Sequence, residues 1–313
     1  MKIAARALDG LVVVGLCACL EPTPARATDA GFPPPAAGAM ADGGTPGWLS
    51  RTYGSFEWRS GDDPRGVVET VQPIYQSEDR ARTLFFQGRG SYSDGDWLMN
   101  LGGGFRWVLP DNPDWMFGVN AFYDRQFDPD HARWGAGVEA IGRFTTFRAN
   151  YYDPTSGWIT VAATPTTLIQ EKALEGWDAE LEAPLAFAPW ASVSGGYYHW
   201  DVTSPGTSDI DGFRGLLRMD LNQSMRLETG IEADNHETAF LLNFRIALGP
   251  SEHVEYTARD QHDGVAYAYQ GRDVSKHALV RVERHNEIPV ERRVVSIASG
   301  AATSGGVVIR RGR

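Results

Sequence analysis

The feature that most constrains this chain is a strict alternation of apolar and polar residues, sustained in several places for ten positions or more. From Trp97 to Trp107 the odd positions are Trp97, Met99, Leu101, Gly103, Phe105 and Trp107, while the even ones include Asn100, Gly102, Gly104 and Arg106. A period of two marks a strand with unlike faces. After the turn Pro110-Asp111-Asn112-Pro113-Asp114 the period resumes with Trp115, Phe117, Val119, Ala121 and Tyr123 against Gly118, Asn120 and Asp124, so one hairpin accounts for both runs. The pattern recurs downstream. Trp134, Ala136 and Val138 oppose Arg133 and Glu139, and Trp177, Ala179, Leu181 and Ala183 oppose Asp178, Glu180 and Glu182. Phe213, Leu217 and Met219 oppose Arg214, Arg218 and Asp220, and Met225, Leu227 and Ile231 oppose Arg226, Glu228 and Glu232.

Two solvents explain an apolar face opposite a charged one. In a sandwich the apolar faces pack together; in an outer-membrane barrel they meet lipid while the polar faces line the lumen. Length decides between them. Trp97 and Trp107 are about 33 Å apart along a strand at ~3.3 Å per residue, or about 25 Å in height once the strand is tilted. That is the separation of the two aromatic girdles of a membrane barrel, whereas soluble strands usually run about five or six residues. The expected lipid-facing girdle includes Trp97, Trp107, Trp115, Trp134 and Trp177. The expected lumen-facing set is Asp178, Glu180, Glu182, Arg214, Arg218, Arg226, Glu228 and Glu232, since charge facing a watery lumen avoids the ~2–4 kcal/mol cost of Arg or Lys at the lipid midplane.

Twelve strands are predicted, near 52–60, 67–75, 82–93, 96–108, 115–127, 132–142, 145–153, 175–184, 190–201, 210–221, 224–233 and 237–248. An even number suits a closed single-chain barrel, which has no sheet edges. The two longest connections, about 154–174 and 202–209, follow the seventh and ninth strands and so share one side, while short turns follow the fourth, sixth and tenth. The last strand, with Phe240, Leu242, Phe244, Ile246 and Leu248 on one face, suits recognition by the barrel-assembly machinery.

The start of the chain has a separate meaning. Lys2 and Arg6 precede the apolar run Leu11 to Leu20, and Ala25-Arg26-Ala27 precedes Thr28, which is the layout of a cleaved export signal over 1–27. The run is too short for a membrane-crossing helix. Both cysteines, Cys17 and Cys19, fall inside this signal, so the mature chain is expected to hold none; lipidation at Cys19 is the rival reading. Residues 28–47 are rich in Pro, Ala and Gly and are expected to form a disordered lead-in. A net charge of −11 disfavours nucleic acid as a partner.

With the strands in place, the segment Gly102 to Ala140 ("GGGFRWVLPDNPDWMFGVNAFYDRQFDPDHARWGAGVEA"), followed by "FRANYYDPTSGW" and "GWDAELEAPLA", resembles the β-domain of inverse autotransporters, the intimin/invasin family. "ALVRVERHNEIPVERR", Ala278 to Arg293, is similar to the segment that follows the barrel in that family, over roughly 48–295 in all. The resemblance implies an all-β, transmembrane outer-membrane antiparallel barrel of about twelve strands over 48–248. It implies a linker over 249–293 that threads the pore through Val282, Glu283, Arg284, His285, Asn286, Ile288 and Arg292, and a short tail over 294–313. His285 stands where the family usually has Asn, and Pro289 interrupts its apolar run. The tail is expected to point outward and to be too short for the family's adhesin domains.

Other motifs read more plainly. His236-Glu237 lacks a second zinc ligand, because position 240 is Phe, and His236 is expected at a hairpin tip. Ser93-Asp94-Gly95-Asp96 and Asp128-Pro129-Asp130-His131 are expected to be solvated loops. Gly102-Gly103-Gly104 lies mid-strand with no following helix, so it is no phosphate loop and is expected to relieve crowding. No catalytic residue, metal site or cofactor is expected. The function expected is a non-enzymatic anchor and translocator of type V secretion in a Gram-negative outer membrane. It would sit in outer-membrane lipid as a monomeric barrel and present loops or export a surface or secreted protein partner in cell adhesion. A porin-like channel, a purely structural barrel and an outer-membrane hydrolase are the alternatives.

Overall fold

The structure is a computed structural model, and it describes residues 40–41, 45–204, 206–251, 253–262, 269–297 and 302–308. The export signal over 1–27, with Cys17 and Cys19, and most of the lead-in over 28–47 lie outside these residues. A two-residue ladder, β1 (Met40–Ala41) with β2 (Thr45–Pro46), precedes the first long strand.

Twelve strands close into one antiparallel barrel. They are β3 (Thr52–Arg59), β4 (Arg65–Gln76), β5 (Arg82–Ser93), β6 (Asp96–Leu109), β7 (Asn112–Gln126), β8 (Ala132–Gly142) and β9 (Thr146–Pro154), then β12 (Glu175–Leu185), β13 (Ala188–Asp201), β14 (Ile210–Asn222), β15 (Met225–Asp234) and β16 (Thr238–Ala247). Sequence neighbours pair throughout, β9 pairs with β12 across the long excursion, and β16 closes on β3 from Leu241↔Arg59 to Ala247↔Tyr53. Each predicted strand falls on one of these. Closure satisfies the backbone groups of every strand, the condition for spanning a bilayer with sheet.

Burial is inverted relative to a soluble protein. On β6 the outward side chains Trp97, Leu101 and Phe105 are exposed, whereas Asn100 and Arg106 are each 1% exposed. On β15, Met225 and Ile231 are exposed while Glu228 and Glu232 are buried. An apolar outside around a charged inside is stable only where the outside meets lipid. Strand crowding explains the glycine run: a Cβ on Gly102 would stand 2.3 Å from the Ala121 carbonyl oxygen and 2.5 Å from the Phe122 ring.

The two rims differ. One, the turn rim, carries the turns after β4, β6, β8, β12 and β14; the other, the loop rim, carries the connections 155–174 and 202–209. The connection 155–174 is not a plain loop. It folds into the hairpin β10 (Ile159–Ala163) and β11 (Thr167–Ala173), and β11 pairs in turn with β17 (Val290–Ser296), which pairs with β18 (Ala302–Val308). This four-stranded sheet corrects two expectations. The tail does not simply point away, because β18 runs back along β17 and sets Val308 opposite Val290. His131 is not solvated: it is fully buried, with Nε2 3.8 Å from the equally buried Glu171 carboxylate on β11.

Candidate functional site

After β16 the chain crosses the turn rim through α1 (Ala258–His262) and a short 3-10 turn, η2 (Val274–Leu279). Val274 and Ala278 pack on Met116 and Ile141 inside the barrel. Residues 281–289 then run up the lumen and emerge at the loop rim as β17. Period two places every second strand residue inward, so the wall around this segment is a set of polar side chains spaced to meet it.

The contacts form successive layers. At the lower end the Arg106 guanidinium donates to the carbonyls of Ala278 (3.1 Å) and Val280 (2.5 Å), and is held by Glu139 at 2.7 Å. Arg281 reaches Glu69 at 3.2 Å, Glu228 at 3.5 Å and its neighbour Glu283 at 2.9 Å. Gln87 accepts the Val282 N–H at 2.8 Å and donates to its carbonyl at 3.5 Å, imitating a strand neighbour. Val282 itself enters an apolar pocket of Val71, Phe85 and Phe122. Arg284 binds Asp124 through two parallel bonds of 2.7 Å, and the same carboxylate accepts from Arg133 Nε and Asn100 Nδ2, both at 2.8 Å.

The next residue is gripped on backbone and side chain together. Tyr152 Oη accepts the His285 N–H at 2.8 Å, and Arg133 donates to its carbonyl at 2.6 Å. The imidazole lies edge-on to Tyr198 and Trp200, each 5.3 Å away between ring centroids. Asp178 (3.5 Å), Glu232 (3.7 Å) and Arg214 surround it. Above it, Asn100 donates to the Asn286 carbonyl at 2.9 Å, and Glu287 faces Arg65 and Arg89. Ile288 closes the top against Leu98 and Ala173.

Such pairs work as a set. Buried ions are costly alone, and each is tolerated only while its counter-ion stays in place. The lumen therefore distinguishes sharply between a threaded and an unthreaded state.

Of the sequence-derived lumen residues, Glu228, Asp178, Glu232 and Arg214 touch the threaded segment. Glu180, Glu182 and Arg218 instead join Arg148 in a separate ion cluster at 2.7–3.2 Å, and Arg226 pairs with Asp220 at 2.6 Å. A cavity of about 170 Å³ remains beside the segment, bordered by Arg214, Arg218 and Glu283. Arg292 lies above the lumen, bonded to Glu171 at 2.9 Å. The tryptophans form two outer bands. Trp97, Trp134 and Trp177 meet Tyr92, Tyr123 and Tyr197 near the loop rim, while near the turn rim Trp115 stacks on Phe117 and Trp107 lies tilted against it. Sequence reasoning did not single out Glu69, Gln87, Arg89, Asn100 or Arg106 as partners. Their inward parity was the available signal.

Among the described residues, one group has metal-ligand spacing: His199, Asp201 and Asp209, at the loop rim. His199 already bonds Asp211 at 2.8 Å and Asp201 at 3.3 Å.

A closed twelve-stranded barrel with an apolar, aromatic-banded exterior and a charged, threaded interior is a transmembrane outer-membrane barrel. Residues 59–211 match the family model of the inverse autotransporter β-domain. Over that stretch, just under half of its length, the chain is similar to that family. It is 32% identical over 127 residues to an attaching and effacing protein homolog of Escherichia coli K12, covering 41% of each chain. It is 34% identical over 125 residues to the intimin of Escherichia coli O111:H-, covering 39% of this chain and 13% of that one. The chain thus spans less than half the length of these relatives. A solved chain from work on in-meso crystallization of membrane proteins shares the fold, with TM-score 0.62 and 20% identity over 77% of this chain and 99% of that one.

Proposed function

We propose that this protein is a non-enzymatic anchor and translocator: residues 48–248 hold it in the outer membrane, and 249–293 carry the chain through the pore to the cell surface. The observation that carries this reading is the lumen itself, where Gln87, Asp124, Arg133 and Tyr152 bond directly to the backbone or side chains of 282–285. A general diffusion pore has no use for such dedicated contacts. In this reading the turn rim faces the periplasm and the loop rim faces outward, in keeping with short periplasmic turns and longer outside loops. The export signal is cleaved, the barrel-assembly machinery inserts a monomeric barrel, and Trp97, Trp107, Trp115, Trp134 and Trp177 sit at the lipid interfaces. The surface sheet and loops meet a surface or secreted protein partner, as befits a relative of attaching proteins.

An epitope tag after Arg313 tests the reading. Antibody that reaches the tag on intact cells supports threading; labelling only after the outer membrane is opened refutes it.

A further inference from the structure

The residues that leave the lumen first are met, one after another, by groups belonging to the two longest loops. The Glu291 carboxylate is fully buried and accepts the N–H groups of Thr203 (3.2 Å) and Ser204 (2.8 Å) as well as the Thr203 hydroxyl, all from the 202–209 connection. Arg292 donates to Glu171 on β11 at 2.9 Å. Arg293 forks onto the Gln170 side-chain oxygen at 2.9 and 3.1 Å, and its guanidinium lies 3.8 Å over the Trp158 ring. Beneath them Leu174 N–H donates to the Pro289 carbonyl at 2.9 Å. Between them the backbone of β17 adds to β11 in unbroken register, from Ala173↔Val290 to Thr167↔Ser296.

We infer that the connections 155–174 and 202–209 together form a strand-binding site at the mouth of the pore. It takes the segment Val290–Ser296 in extended form and, by holding it, makes passage one-way. The inference rests on the proposed outward orientation of the loop rim. Strand addition supplies affinity through the backbone, and pockets for successive side chains supply specificity. Here the pockets read an acidic residue followed by two basic ones. A slip of one residue turns every side chain of β17 to the opposite face and removes Glu291 from its backbone donors. The site therefore accepts one register and resists sliding in either direction. Each rung formed outside also removes a route back into the lumen, so thermal motion of the chain is rectified without an external energy source.

The test uses the full chain with the tag after Arg313 and follows how fast antibody gains access on intact cells after induction. Glu291→Lys places a cation against the Thr203 and Ser204 N–H groups; the expected result is several-fold slower surface appearance, with the heat-dependent gel shift of a folded barrel retained. The double variant Trp158→Ala with Gln170→Ala removes only half-buried loop side chains, leaves the barrel wall untouched and is expected to slow the process in the same direction. If both variants reach the surface as fast as the unsubstituted chain, the strand-binding site is refuted while threading stands. If the unsubstituted tag is reached only in opened cells, the translocator reading fails first and the inference with it. Should Glu291→Lys abolish the barrel, the double variant alone decides.

Discussion

Replacing Asp124 by alanine is the sharpest perturbation of the threaded lumen. This carboxylate is 0% exposed and serves two guanidiniums, Arg284 of the threaded segment at 2.7 Å and Arg133 of the barrel wall at 2.8 Å. Removing one partner of a buried ion pair costs about 3–5 kcal/mol, because the remaining charge stays desolvated. With the segment in place both arginines would be stranded; with it withdrawn, water enters and hydrates both. The full cost thus falls on the threaded state, a factor of about 10² to 10⁴ in the ratio of threaded to unthreaded lumens. Single-barrel conductance in planar bilayers reads this ratio. The native protein is expected to stay almost closed and Asp124→Ala to show long open periods. Adding Arg284→Met to Asp124→Ala removes one stranded charge and is expected to restore much of the closure. Conductance of Asp124→Ala no greater than native, from a barrel with unchanged heat-dependent mobility, would show that the Asp124 cluster does not hold the segment.

Three further outcomes are expected. Gln87→Ala orphans the Val282 N–H, worth about 1–3 kcal/mol, and should make residues 281–289 more accessible to an added protease without changing barrel assembly. Leu101→Arg puts a cation on the outer face midway between Trp97 and Trp107; at about 2–4 kcal/mol it should lower the heat-resistant folded fraction, whereas the same change on a loop such as 60–64 should not. Burial and the nearby Arg226 push the His253 imidazole down to about 3, and burial and Arg272 do the same for His277; the two rings sit 6.0 Å apart at the turn rim. Groups held below their unfolded value of about 6.5 stabilise the closed form above that pH, and this contribution is lost as pH falls from there toward 3. Proteolysis of 249–280 should therefore rise between pH 7 and pH 4, and a His253→Gln, His277→Gln variant should flatten the dependence.

The barrel was legible because its information is local. Alternation, turn residues and strand length are written into each hairpin. The surface sheet was not legible as a whole. The stretch 154–174 reads only as a long connection, and the partner β17 lies more than a hundred residues beyond β11, with nothing in either segment naming the other. His131 reads as a loop residue for the same reason, since Ser156 and Glu171, which lie against its ring, both come from the folded 155–174 connection. In the lumen, parity told which residues point inward but not which of them meet the threaded chain. Asp124 and Glu182 look alike in sequence. Only the stagger of the strands and the path of residues 281–289 separate the one that binds Arg284 from the one that pairs with Arg148 and Arg218.

The return of β18 along β17 also determines how the assembly carries a mechanical load. Val308 lies beside Val290, so tension applied beyond β18 while the pore anchors Val290 pulls on the two open ends of a hairpin. Such a hairpin unzips rung by rung, from Val290 and Val308 toward the far end at Val295 and Ala302, at far lower force than shearing all rungs together. The β17–β18 ladder would thus yield first, as a mechanical fuse, and spare the ion pairs of the lumen until it is spent.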